Sequence, residues 1–183
     1  MKYLLSVLVL LMLTFSAQGS SESERKEIKQ SRQEILTRLY KEEPEVKGKI
    51  KRAAGYATFS NIGINVIFFS AGGGTGVVHN NSTGKDTYMK MASAGVGIGL
   101  GIKDFRAVFI FHDKSALRSF IKDGWDFSGQ ADAAAKSGRK GKEGSAAGSI
   151  INGVDVYQMT ETGLALQATL QGTKYWEDDD LNE

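Results

Sequence analysis

Two apolar patterns of different kinds open the chain. Leu4 to Leu13 is a continuous apolar run broken only by Ser6, whereas from Ser21 to Glu43 apolar residues are sparse. Those few, Ile28, Ile35, Leu36, Leu39 and Tyr40, are spaced by seven and then by three and four. That spacing puts them on one stripe of a helix. Pro44 has no amide to donate and stops it. Glu45 to Ala54 predicts a second short helix, weakened by Gly48, which carries Lys47, Lys49, Lys51 and Arg52 within six residues.

From Gly55 onward the period changes to two. Tyr56–Phe59 and Asn65–Phe69 are β-branched and aromatic, as buried strands tend to be. Ala71 to Gly76 reads as a glycine turn leading into Val77-Val78, and Asn80 to Lys85 as a polar turn before a strand from Asp86 to Ala92. Arg106 to Phe111 is apolar on both faces and is placed in the middle of the sheet. Asp113 predicts the N-cap of a helix through Asp123, with Leu117, Phe120 and Ile121 as its stripe and Gly124 as its stop. Trp125, Phe127, Ala131 and Ala133 alternate with polar residues as in a half-buried strand. Lys136 to Ser149 reads as a basic loop. A closing hairpin follows, Val154 to Met159 and Leu164 to Gln171, and Glu177 to Asp180 reads as a solvated acidic tail. The expected fold class is α+β and mainly antiparallel β.

Between Lys90 and Lys103 lies Gly95-Val96-Gly97-Ile98-Gly99-Leu100-Gly101-Ile102. In a strand all four glycines fall on one face, so something packs directly on backbone there. A sheet corner and a ligand-contact surface both fit. A membrane helix does not, because the two lysines bracket too few residues for a span.

The opening run changes how much of the chain belongs to the fold. Lys2 supplies a positive start, the apolar run is shorter than the about 20 residues a membrane helix needs, and Ala17-Gln18-Gly19 offers a small-x-small cleavage pattern. Residues 1–19 are therefore expected to be a signal peptide, with an uncleaved anchor as the other possibility. The rest divides into a helical segment, 20–52, and a domain, 53–182. Without cysteine a lipid-modified N-terminus is excluded, and an exported fold must hold together without disulfides. The formal charge of +2 falls to +1 once Lys2 is removed, which does not suit a nucleic-acid binder.

Ala54-Gly55-Tyr56-Ala57-Thr58-Phe59, the Ala71 to Val78 segment, and Tyr157-Gln158-Met159-Thr160-Glu161-Thr162-Gly163-Leu164 with Gly172 resemble the SYLF domain. The resemblance runs from about Ala53 to Asn182. Where many members carry Trp-x-x-Pro and Gly-x-Gln-x-Gly, this chain has Tyr88-Met89-Lys90-Met91 and the Gly95–Gly101 repeat. The resemblance implies a small curved sheet or conical barrel with the N-terminal and central helices packed outside. It also implies binding of membrane phospholipids, often acidic ones, through basic residues and an N-terminal amphipathic helix.

The residues themselves show little catalytic equipment. There is no cysteine nucleophile, no Gly-x-Ser-x-Gly elbow, no Walker lysine and no dinucleotide fingerprint. His79 and His112 are the only histidines, and no orienting partner for either is evident in the sequence. No enzyme activity, cofactor or metal is expected. The candidate lipid-binding residues are Lys47, Lys49, Lys51 and Arg52 with the stripe Ile28, Ile35, Leu36 and Leu39. Solvation of the first set and packing of the second are the alternatives. The expected function is a non-catalytic, acidic-phospholipid-binding module of the periplasm or the secreted fraction. A structural or protein-interaction module of the envelope is the other reading.

Overall fold

The computed structural model describes residues 2–61, 73–93, 105–126, 148–151, 153–160, 163–164 and 173–183, with side chains for all of these except 2–20, 93 and 148–151. Helix α1 runs Lys2–Glu42 and α2 runs Val46–Arg52, with Pro44 in the turn between them. Strands β1 (Gly55–Ser60), β2 (Gly73–Asn80), β3 (Asp86–Ser93) and β4 (Arg106–Phe111) follow, then helix α3 (Lys114–Asp123). The remainder is β5 (Trp125–Asp126), β6 (Gly148–Ile151), β7 (Val154–Thr160), β8 (Gly163–Leu164), β9 (Thr173–Glu177) and helix α4 (Asp179–Asn182).

All the described strands form one antiparallel sheet in the order β5-β9-β3-β2-β1-β4-β7-β6, and β8 pairs with the far end of β7. The sheet curls into a half-barrel, and among the described residues its end strands β5 and β6 do not pair with each other. This is the expected mainly antiparallel α+β class.

Period two sorts the side chains onto two faces. On one face Phe59, Phe109, Phe111, Met89, Met91 and Tyr175 pack with Leu117 and Phe120 of α3. The aromatic rings there meet edge to face, Phe109 on Phe120 at 5.7 Å and Phe59 on Tyr175 at 4.7 Å. On the other face Val108, Ile110, Tyr157 and Met159 pack with Ile35 and Leu39 of α1 and Val46 and Ile50 of α2. Strand β4 contributes to both faces, which is why its run is apolar throughout. Helix α3 is capped as its sequence predicts: Asp113 accepts from the amides of Ser115 and Ala116, each at 2.8 Å, and Gly124 leaves the helix with φ +65°.

Three expectations are corrected. Gly73 to Gly76 lies in strand β2 rather than in a turn, because a Cβ at Gly74 or Gly76 would press on Met91 or on the Phe59 ring. Gly148 and Ser149 belong to strand β6 rather than to a loop; Ile151 pairs with Val154, and Gly153 turns the hairpin at φ +77°. Glu177 to Asp180 is not a solvated tail: Glu177 ends β9, Asp178 is buried, and α4 follows with Leu181 buried beside Tyr88. The expected strand over Asn65–Phe69, the Gly95–Ile102 glycine face, residues 127–133 of the alternating strand, 136–147 of the basic loop and 165–171 of the last strand lie outside the described residues.

Candidate functional site

The structure divides the eight candidate residues by depth. Ile28, Ile35 and Leu39 are 6%, 2% and 0% exposed, and Leu36 is half-buried against the same cluster as Ile35. In this arrangement the stripe belongs to the core. Lys49 also turns inward: its Nζ donates to the Tyr157 hydroxyl at 2.8 Å and lies 3.8 Å from Asp155. Burial pushes the Lys49 ammonium down, but Tyr157 and Asp155 outweigh it and hold it above the ordinary lysine value. Lys47, Lys51 and Arg52 are exposed and form no ion pair among the described residues. Arg52, Lys51 and Lys49 occupy the last turn of α2, where unpaired carbonyls favour nearby cations even without a ligand. At the other end of α2 stand Glu42, Glu43 and Glu45, so α2 is flanked by opposite charges at its two ends.

Both histidines have carboxylate partners that the sequence did not reveal. His79 Nδ1 lies 2.7 Å from Asp86 Oδ1, which also accepts from Arg32 Nη1 at 2.8 Å, and the Tyr56 ring lies 5.3 Å from the imidazole. Burial alone would raise the Asp86 carboxyl, yet the hydrogen bonds from His79 and Arg32 prevail and hold it below the ordinary range. His112 Nε2 lies 3.1 Å from Asp155, the carboxylate that also faces Lys49. A local signal existed for the first pair, since His79 and Asp86 are direct register partners across the Asn80–Lys85 turn. None existed for the second, which depends on the pairing of β4 with β7. Each aspartate ties the helical arm formed by α1 and α2 to the sheet, Asp86 through Arg32 of α1 and Asp155 through Lys49 of α2. Among the described residues no group of three or more His, Cys, Asp or Glu could hold a metal.

A cleft missed in the sequence opens where α1, the β2–β3 turn and α4 meet. Its volume is about 340 Å³, and Arg25, Lys29, Lys85, Asp86, Tyr88 and Asn182 contribute to its walls. Helical spacing puts Arg25 and Lys29 on one face of α1, but nothing local in the sequence brings Lys85 and α4 beside them. Among the residues whose side chains are described, no helix is long and apolar enough to cross a membrane; residues 2–20 of α1 lie outside that statement.

A curled antiparallel sheet carrying a docked helical arm, with cations exposed along it, makes this an α+β module that is mainly β. The chain belongs to the SYLF family: residues 92–183 match the family Ysc84, described as "Las17-binding protein actin regulator". The family is of actin-regulator and lipid-binding type. A curated relative, "Beta cell expansion factor A" of Aeromonas veronii, is 38% identical over 149 residues. That match covers 81% of this chain and 55% of the relative, so the chain spans about half the length of the protein it resembles.

Proposed function

We propose that this chain is a non-catalytic module of the cell envelope that binds membrane surfaces rich in acidic phospholipid. One observation carries the reading: in a family of lipid-binding type, Lys47, Lys51 and Arg52 project from one short helix with no ion-pair partner among the described residues. Each cation near an anionic surface contributes about 1 kcal/mol, which fades within a Debye length. Three reaching the surface together raise affinity by a factor on the order of 10². The buried stripe of α1 does not contribute while it stays docked. Membrane contact in this reading is electrostatic and salt-sensitive.

Co-sedimentation with liposomes of graded phosphatidylserine content tests it. The parent is expected to sediment with acidic liposomes and to be released as salt rises. The Lys47→Glu, Lys51→Glu, Arg52→Glu triple variant is expected to stay in the supernatant while remaining folded, its melting temperature lowered by about a few degrees because the changes at Lys51 and Arg52 put anions in place of cations beside the last carbonyls of α2. Lys49 is left intact because reversing it would break its contact with Tyr157. A triple variant that sediments like the parent would remove this surface from consideration.

The envelope location rests on the Lys2 to Gly19 segment, which reads as a signal peptide. Intact mass of protein from the native host is expected to show a chain beginning near Ser20; a species that retains Met1 to Leu13 would make it an anchored protein instead. A second reading, a protein-interaction module, is favoured by the family description, which names a protein partner. An exported chain does not meet actin, so that part of the description is not carried over. Capture of the same envelope partner with and without lipid would favour the second reading.

A further inference from the structure

Helix α3 packs on the sheet through Leu117 and Phe120 and leaves a row of cations on its outer side. Lys114, Arg118 and Lys122 recur every four residues, about 6 Å apart along the axis, so they share one stripe. All three are exposed, and none has an ion-pair partner among the described residues. The carboxylates at the helix ends are taken up elsewhere. Asp113 accepts from the amides of Ser115 and Ala116, and Asp123 accepts from the Ser119 hydroxyl at 3.0 Å. Like charges four residues apart destabilise a helix, a cost that a surface of opposite sign removes.

That opposite sign gathers across the sheet. Glu24 and Glu27 on α1 act together with Asp178 and Asp180 at the start of α4, and Lys90 is the one cation among the groups that act on Glu24. Lys90 lies 2.8 Å from Asp178 and 3.1 Å from Asp180, so a single ammonium serves four carboxylates. Burial first, and then Asp178, raise the Glu24 carboxyl above its ordinary value, with Glu27 and Asp180 adding to it and Lys90 opposing. Negative charge is in excess here. Glu24, Glu27, Asp179 and Asp180 are exposed. Arg25 and Lys29 stand on the other flank of α1, where Glu183 and Asp86 answer them.

The two patches cannot meet within one copy. Helix α3 covers the face of Phe59, Phe109 and Phe111, whereas Ile28 and Leu181 hold α1 and α4 on the face of Val77 and Tyr88. Patches on opposite faces also rule out a two-fold pair that joins both at once. They suit a heterologous contact, in which each copy offers one patch to the copy before it and the other to the copy after. We propose that the chain associates with further copies of itself head to tail, the basic row of α3 on one copy seated on the acidic patch of α1 and α4 on the next. Such a contact is steered and held by charge, so it weakens as salt screens it. It is independent of the membrane-surface reading and needs no lipid.

Sedimentation velocity of the protein purified from the native host, without lipid, tests it. At about 0.01 M salt, where charges are felt over about 30 Å, the mean mass is expected to climb with concentration; at about 1 M, where the reach is about 3 Å, it should return to that of one copy. Two charge reversals, each at exposed positions, separate the patches: Lys114→Glu with Arg118→Glu, and Glu24→Lys with Glu27→Lys. Lys122 is left in place because it stands beside the unpaired carbonyls that end α3. Each double variant alone should stay a single copy at low salt, and an equal mixture of the two should associate again, because reversed row and reversed patch suit each other. Recovery in the mixture also shows that both variants are folded. Should either melt early, the single reversals Arg118→Glu and Glu27→Lys take their place. The Lys47→Glu, Lys51→Glu, Arg52→Glu protein should associate like the parent, so failure of the membrane reading and failure of this contact are told apart. A parent that stays a single copy at low salt, a reversal that associates as the parent does, or folded variants whose mixture stays unassociated would each overturn the proposal.

Discussion

Gly76 lies where β2 passes beneath the Phe59 ring, and a Cβ at that position would overlap the ring and the Thr58 carbonyl. The ring has little room to yield, because Phe109 lies 5.5 Å away, Tyr175 4.7 Å and Phe120 6.1 Å. Gly76→Ala is therefore expected to cost about 1–3 kcal/mol through overpacking, read as a lower melting temperature. A variant that melts with the parent would show that the aromatic cluster repacks freely. Asp178 presents the opposite problem, a charge held inside. Its carboxylate is almost fully buried and depends on Lys90 Nζ at 2.8 Å, while Lys90 also faces Asp180. Burial works against the Lys90 ammonium, yet the two aspartates hold it above the ordinary lysine value. Lys90→Met should cost about 3–5 kcal/mol by stranding that carboxylate, and adding Asp178→Asn should recover much of the loss. A double variant no more stable than Lys90→Met would mean the pair is not the source of the effect.

At the scale of elements, local chemistry was legible wherever a short signal settles the backbone. Pro44 separates α1 from α2, Asp113 and Gly124 bound α3, and the apolar run Arg106 to Phe111 is the strand buried on both faces. The β6–β7 hairpin was missed although Asn152-Gly153 is a hairpin dipeptide, because the basic residues before it suggested a loop. Nothing local could have placed α4, since its docking depends on Leu181 meeting Ile28, Val77 and Tyr88 from three distant elements. The site divides in the same way: which residues of α2 are basic is plain in the sequence, but that Lys49 turns inward requires Tyr157 and Asp155 from β7. Helix α1 poses the sharpest question, because one amphipathic stripe serves a membrane or a sheet equally well. Its burial here predicts that Leu39→Ser lowers the melting temperature, by about 2–5 kcal/mol in stability, and leaves high-salt liposome binding unchanged. Weaker binding at high salt with no loss of stability would mean that the stripe inserts into lipid.

For the whole molecule, Asp86, one of the two aspartates that receive the helical arm, sets how the arm responds to acid. Asp86 holds α1 to the β2–β3 hairpin through Arg32, with His79 on the same oxygen, and its folded carboxyl lies below its ordinary value of 3.8. A depressed carboxyl binds protons less readily folded than unfolded, so its contribution is complete above that ordinary value. It is lost as pH falls through the lower folded value. Asp155, which faces Lys49 and His112, joins α2 to β7 at a separate point. The arm is also held by burial of Ile35 and Leu39, so acid weakens the Asp86 contact while leaving the burial in place. Melting temperatures of the parent are expected to fall steeply between about pH 4 and pH 2, and those of Asp86→Asn to fall less over the same interval from a lower starting point at neutral pH. Amide exchange should rise along α1 around Arg32 in that variant while β1 and β4 stay protected, because the sheet core does not depend on the clamp. Parallel acid limbs for the two proteins would show that Asp86 is not the group through which acid loosens the arm.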